Sequence, residues 1–343
     1  MDRTTPICSM IPVNIVFLLK DTHCSNMILF SLFRAPFGGI LKLVIPLSSI
    51  LLLFSCNPVL FVKKQGARQL KRRDVHPQTL TTEDFTMKYW KGGNGPVILF
   101  LHGFGGDALF TYQNELAILA KNHTVIAPDL LWFGESNSTL PATIESQIVA
   151  IERLLKELHI DTFSMIGQSY GGFIAVLLAE KYPEKIDRLC IANSPGPMFN
   201  KALIDEVCES HGFSSIQQAF VFDSYEGVQP LLDLASYGNT KFPDWLLKLM
   251  YETNFSSYKN EQRSLLTSLI AEPERPDAIE ALKRMNVMVL WGEYDELFYL
   301  SEGRRFADNI NAKFVVISDV GHAPQMDDRK AFTKVVTDFL NHE

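Results

Sequence analysis

The chain has 343 residues, 47% of them hydrophobic and 21% charged, with a formal net charge of -7. That length holds one large domain or two small ones, and the apolar share is enough for a globular core. An acidic chain with no internal repeat and no long low-complexity tract gives no sign of a nucleic-acid partner.

The first sixty or so residues read unlike the rest. Apolar runs occupy 11–19 and 43–54, and Arg34 and Lys42 precede the second. A basic flank, a short apolar run and a small residue before a break have the form of a secretory signal. The run ends in Leu53-Phe54-Ser55-Cys56, which resembles the lipobox of bacterial lipoproteins. That resemblance implies lipidation of Cys56 and an exported, membrane-associated protein, with Met27 an alternative start. The competing reading is a retained anchor over 43–62, long enough to span a bilayer but interrupted by Pro46, Asn57 and Pro58. The positive-inside rule would then leave the following domain in the cytoplasm. A third reading is a mistaken start ahead of a soluble protein. Lys63, Lys64, Arg68, Lys71, Arg72 and Arg73 read most simply as a solvated basic linker, which beside a bilayer would also touch anionic lipid. The organisation expected is a signal or anchor over 1–62, a linker over 63–76 and a catalytic domain over 77–343.

From about Asp74 the pattern alternates strand, loop and helix. Phe85, Met87 and Tyr89 alternate with polar residues, as in a half-buried strand. Residues 96–101 are a continuous apolar run, which suits a strand buried on both faces of a parallel sheet. Leu109, Tyr112, Leu116 and Leu119 follow at helical spacing. A short strand over 124–127 precedes a helix predicted over 141–159, where Ile144, Ile148, Ile151, Leu155 and Leu158 line one face. Strands at 162–166 and 188–192 flank another helix. From 196 to 283 the alternation stops, and an aromatic-rich stretch reads as a helical insertion. Strands return at 287–291 and 314–317, and an apolar-striped helix closes the chain. Alternating elements of this kind predict an α/β fold with a mostly parallel sheet and helices on both faces. In such sheets, sites collect at the carboxyl ends of the strands.

That rule selects a set of residues. Ser169 follows a strand and opens a helix within GQSYGG at 167–172. A serine hydroxyl on a sharp turn projects free of the sheet, and Gly167 and Gly171 remove the side chains that would clash there. His322 follows the last strand and can serve as a base. Asp295 follows the preceding strand and can orient it, although Glu293 and Asp319 lie near. The order Ser, Asp, His resembles that of the α/β-hydrolases. The loop HGFGG at 102–106 follows the first buried strand, and amides at Phe104 and Tyr170 could hold an oxyanion. His102 and Gly103 read as support for that loop. No G-x-G-x-x-G and no Gly-Lys-Ser/Thr is present. Cys8, Cys24, Cys56, Cys190 and Cys208 form no C-x-x-C pair, so neither a zinc site nor a redox motif is indicated.

With PDLLWFGES at 128–136, WGEYD at 291–295 and GHAP at 321–324, these pieces resemble the α/β-hydrolase superfamily over about 75–340. The chain is most similar to its capped lipase, esterase and monoacylglycerol-lipase-like members. The resemblance implies Ser169 as nucleophile, His322 as base, Asp295 as acid and 196–283 as a cap. The reaction expected is hydrolysis of a small-molecule carboxylic ester with no cofactor or metal, and the apolar cap and any membrane tether favour an acylglycerol or similar ester with an apolar acyl group. Relatives that open epoxides use a carboxylate nucleophile, against which Ser169 argues. Carbon–carbon hydrolases, perhydrolases and a non-catalytic ligand-binding member of the fold stay open.

Overall fold

The computed structural model describes residues 57–198, 201–238, 240–272 and 275–341. The order begins with helix α1 (Pro58–Lys71), then β1 (Val75–Thr81), β2 (Phe85–Gly92) and β3 (Val97–Leu101). Next come α2 (Ala108–Leu119), β4 (Thr124–Pro128), β5 (Asn137–Ser138), α3 (Ile144–Glu157), β6 (Phe163–Gln168), α4 (Tyr170–Lys181) and β7 (Ile186–Ala192). Helices α5 (Lys201–Ser210), α6 (Ile216–Phe220), α7 (Val228–Ala235), α8 (Asp244–Met250), α9 (Lys259–Ile270) and α10 (Pro276–Leu282) follow. The chain ends with β8 (Asn286–Gly292), α11 (Leu300–Asn309), β9 (Lys313–Ile317), α12 (Pro324–Asp327) and α13 (Arg329–Asn341).

The strands form one 9-stranded sheet in the order β1-β2-β4-β3-β6-β7-β8-β9, with β5 on β2. From β4 to β9 each neighbouring pair is parallel, while β1 and β2 run antiparallel at one edge. The period-2 geometry of a strand explains why β3 is apolar throughout. Leu99 and Leu101 enter the hydrophobic cluster on one face, and Ile98 and Phe100 enter the cluster on the other. Both faces of the strand are therefore out of water.

Helix α3 starts later than predicted. The Thr143 hydroxyl accepts from the Ser146 amide and caps the helix, which leaves Pro141 outside. Ile144, Ile148, Ile151 and Leu155 are buried along one side, as their spacing required.

Two further expectations need correction. Residues 63–71, read as part of a solvated linker, complete α1, and a boundary at 77 would cut β1. Asn57 caps α1 through its side-chain oxygen, Pro58 sits at its first turn, and Gly66 and Leu70 are buried against the domain. Apart from Lys63, which pairs with Asp107, the charged residues face outward, so a basic composition concealed an amphipathic helix. Pro77 is tolerated in β1 because that strand lies at the sheet edge. At the other end, α10 falls inside the expected insertion, yet it packs on α4 with Ala278, Ala281 and Leu282 buried. It is the crossover helix that returns the chain to β8. Cys56 and both N-terminal apolar runs lie outside the described residues. No helix among the described residues is long and apolar enough to cross a membrane.

Candidate active site

The parallel register brings the strand ends to one rim. Leu101 pairs with Gly167, Gln168 with Ala192, Ala192 with Leu290, and Gly292 with Ile317. Loops leaving β3, β6, β7, β8 and β9 therefore open at the same side of the sheet.

Ser169 sits between β6 and α4 at φ 52° and ψ -118°. A non-glycine residue held there stores strain of roughly 1–3 kcal/mol. The surroundings over-determine it: its amide donates to the Ala192 carbonyl at 2.9 Å and its carbonyl accepts from the Phe173 amide at 3.0 Å. The flanking glycines are needed for contact rather than for φ. A Cβ on Gly171 would lie 2.1 Å from the Leu101 carbonyl oxygen, and one on Gly167 would lie 2.5 Å from the Gly171 carbonyl oxygen. Strand and helix thus touch backbone to backbone, which lifts the serine onto the rim.

His322 lies on the loop after β9. Its Nε2 is 2.8 Å from the Ser169 Oγ, and its Nδ1 is 3.0 and 3.1 Å from the two oxygens of Asp295. All three side chains are buried. An ionised carboxylate only accepts, so Nδ1 carries the proton and Nε2 presents its lone pair to the hydroxyl. Asp295 is itself held from every side. Its Oδ1 accepts from the amides of Leu297 and Phe298 at 2.9 Å each, and its Oδ2 accepts from Asn193 Nδ2 at 2.7 Å. Glu293 and Asp319 do not reach the imidazole; Glu293 instead accepts from the Asp319 amide at 3.4 Å. Gln168 donates from Nε2 to the His322 carbonyl at 3.0 Å and fixes that loop from beneath.

Asn193 and Gln168 escaped the sequence reading. Asn193 follows β7 at φ 48°, so the strand-end rule pointed at its position. A neutral amide with no motif around it gave no chemical signal.

Ser169 opens on an apolar cleft of about 410 Å³. Phe104, Tyr170 and Phe173 line it from the sheet side, and Ile216, Phe220, Leu266 and Leu269 line it from the helical insertion. Leu297 and Phe298 complete the wall beside His322. Phe104 and Tyr170 meet edge to face with ring centres 5.5 Å apart, so the two residues expected to supply amides lie together. The Tyr170 amide is the first of α4, a position with no acceptor inside the helix.

His102 has a different task. Its Nε2 accepts from the Leu130 amide at 2.9 Å, and its Nδ1 donates to the Gly103 carbonyl at 2.8 Å. It is fully buried, and desolvation lowers its pKa; an Nε2 that accepts from an amide is the unprotonated nitrogen of the ring. It ties the 102–106 loop to the loop after β4. Asp129 in that second loop accepts from the amides of Ala108 and Glu135. Burial, reinforced by Asp107, pushes its pKa up to about 7. Cys190 and Cys208 are free and buried, and burial drives the Cys190 thiol up to about 12. Among the described residues no group of His, Cys, Asp and Glu side chains could hold a metal ion.

Residues 96–329 match the family model described as alpha/beta hydrolase fold. The chain belongs to that family. Human monoacylglycerol lipase ABHD6 is 24% identical over 271 residues, covering 75% of this chain and 80% of the relative. The 2-hydroxymuconate semialdehyde hydrolase of Pseudomonas sp. strain CF600 is 27% identical over 261 residues, covering 72% and 88%. A solved thermophilic esterase from Thermogutta terrifontis superposes with a TM-score of 0.62 at 22% identity, covering 77% of this chain and 98% of that one. This α/β hydrolase thus has similarity to both ester-cleaving and carbon–carbon-cleaving members of its family.

Proposed function

We propose that this α/β hydrolase is a serine hydrolase of carboxylic esters with an apolar, lipid-like acyl group. The observation that carries the reading is the Ser169 hydroxyl, 2.8 Å from His322 Nε2 and facing an apolar cleft. In the reaction, Ser169 Oγ attacks the ester carbonyl while Nε2 takes its proton. The carbonyl oxygen becomes an oxyanion, and the amides of Phe104 and Tyr170 stabilise it. Asp295 supports the imidazolium that forms. Collapse breaks the bond to the alcohol, which leaves with the proton from Nε2. A water molecule then gives a proton to Nε2 and attacks the acyl-serine, and Nε2 passes that proton to Ser169 Oγ as the acyl–oxygen bond breaks and the acid leaves.

The muconate-cleaving relative suggests a second reading, in which the same triad breaks a carbon–carbon bond. A muconate substrate carries a carboxylate, which needs a cation or a set of donors when buried. None of the described residues lining the cleft is charged. That favours the uncharged ester, and the monoacylglycerol lipase similarity points the same way.

Labelling with a fluorophosphonate probe tests the nucleophile. The wild-type chain should label and Ser169→Ala should not. A series of p-nitrophenyl esters, run beside monoacylglycerols and 2-hydroxymuconate semialdehyde, tests the bond cleaved. Folded wild type that neither labels nor turns over any ester would leave the proposal without support. Faster cleavage of the semialdehyde than of every ester would transfer it to the second reading.

A further inference from the structure

Helix α1 has two faces of different chemistry. The inner face is fixed to the domain: Gly66 and Leu70 are buried, and the helix packs on α2. Lys63 Nζ lies 2.8 Å from Asp107 Oδ2, the side chain that caps α2. The outer face is a stripe. Leu60 and Phe61 are 43% and 46% exposed, and Lys64, Arg68, Lys71 and Arg72 are exposed after them, with Arg73 just past the helix. Spacings of three and four residues set this stripe along one side.

The charge on that side is one-signed. No acidic residue occurs from 57 to 73, in a chain whose formal net charge is -7. Among the described residues no ion pair engages Lys64, Arg68, Lys71, Arg72 or Arg73. A free polyanion would satisfy the cations but would leave Leu60 and Phe61 in water. An anionic bilayer surface satisfies both, because its phosphates lie just outside an apolar phase. In sequence, the apolar run at 43–54 closely precedes Leu60, so an adjoining stretch of chain has the same preference.

We propose that the outer face of α1 docks on a bilayer containing anionic lipid. Leu60 and Phe61 enter the boundary between headgroups and acyl chains, and Lys64, Arg68, Lys71 and Arg72 lie against the phosphates. Docking places a particular seam near the membrane. Lys63 lines a polar cleft of about 370 Å³ together with Gly105, Phe133, Asn254 and Gln262, where the sheet meets the helical insertion. The Phe133 ring packs edge-on against Phe104 at 4.9 Å, and Phe104 lines the cleft that holds Ser169. The helix that docks therefore reaches this seam through its inner-face residue Lys63. The docking itself does not depend on the reaction proposed above.

Lysine footprinting of the full chain tests it. The chain is mixed with vesicles of phosphatidylcholine alone, or of phosphatidylcholine with phosphatidylglycerol, and treated with a neutral amine-reactive ester. Lys64 and Lys71 should react about fivefold more slowly on the anionic vesicles, and added salt should reverse the protection. Lys156, exposed on α3, should react equally on both. Arg68→Glu with Arg72→Glu should abolish the protection, and Leu60→Ser with Phe61→Ser should weaken it. Equal reaction of Lys64 on neutral and anionic vesicles would overturn the proposal. So would equal protection by heparin that is indifferent to Leu60→Ser and Phe61→Ser, which would assign the face to a soluble polyanion.

Discussion

Asp295→Asn is the most informative single change at the candidate site. Four donors converge on this side chain: the amides of Leu297 and Phe298, Asn193 Nδ2 and His322 Nδ1. A carboxylate accepts all of them. An asparagine offers one oxygen and one donor group. If its oxygen keeps the two backbone amides, its NH₂ faces Asn193 and the imidazole. Asn193 can turn its amide, because its own Oδ1 has no partner and the turn gives up only the long 3.4 Å hydrogen bond from its Nδ2 to the Gly321 carbonyl. That adjustment lets the variant fold. The imidazole then meets a donor and is driven toward the tautomer with its proton on Nε2. In that form it cannot take the proton from Ser169. A loss of about 10³- to 10⁴-fold in kcat is expected, or roughly 4–5 kcal/mol of transition-state stabilisation. KM should change little, because Asp295 does not line the cleft. Hydrolysis of a p-nitrophenyl ester at saturating substrate reads this directly, with a thermal melt to show that the variant is folded. Activity within tenfold of wild type would refute Asp295 as the partner that sets the imidazole tautomer.

Other consequences follow from the same geometry. Asn193→Ala removes a buried donor to a charged group and should lower kcat by about tenfold without raising KM, measured in the same assay. Gly171→Ala places a methyl group 2.1 Å from the Leu101 carbonyl oxygen, so it should destabilise the fold by about 3 kcal/mol or more and abolish activity, read by urea unfolding. Leu269→Trp enlarges a side chain in the cleft lining and should depress long-chain ester hydrolysis relative to acetate in a chain-length series. Glu115 is fully buried, and burial raises its pKa to about 7, partly opposed by the hydrogen bond from Thr333. The folded state then holds a proton that the unfolded chain releases above about pH 4.5. Stability from this group is complete below that pH and is lost as pH rises through about 7, by about 3 kcal/mol in all. Glu115→Gln should therefore be more stable than wild type at pH 8 by more than at pH 4.5, compared by denaturant melts at both.

The sheet and its rim were legible because each depends on short-range rules. A run such as Val97–Leu101 can stay apolar throughout only when both faces of the strand are covered, and that makes the parallel sheet visible in one dimension. Ser169, Asp295 and His322 could be picked out because each directly follows a strand and carries a reactive group. Helix α1 was hidden because its basic residues dominate its composition, while its burial rests on little more than Gly66 and Leu70. The end of the insertion was misplaced because α10 is helical like its predecessors, and only its packing on α4 makes it part of the sheet layer.

What the sequence determined by itself was the alternation of elements and the set of reactive groups at strand ends, since both follow from periodicity and neighbouring residues. The tertiary structure decided which carboxylate faces the imidazole. Glu293 and Asp319 also follow strand ends and left the choice of Asp295 open to challenge, yet Asp295 is the one that lies where the ends of β7 and β8 converge and where Asn193 and two loop amides can hold a buried charge. A carboxylate stays ionised in the interior only with such donors, and donors drawn from distant strands exist as a set only after the chain has folded.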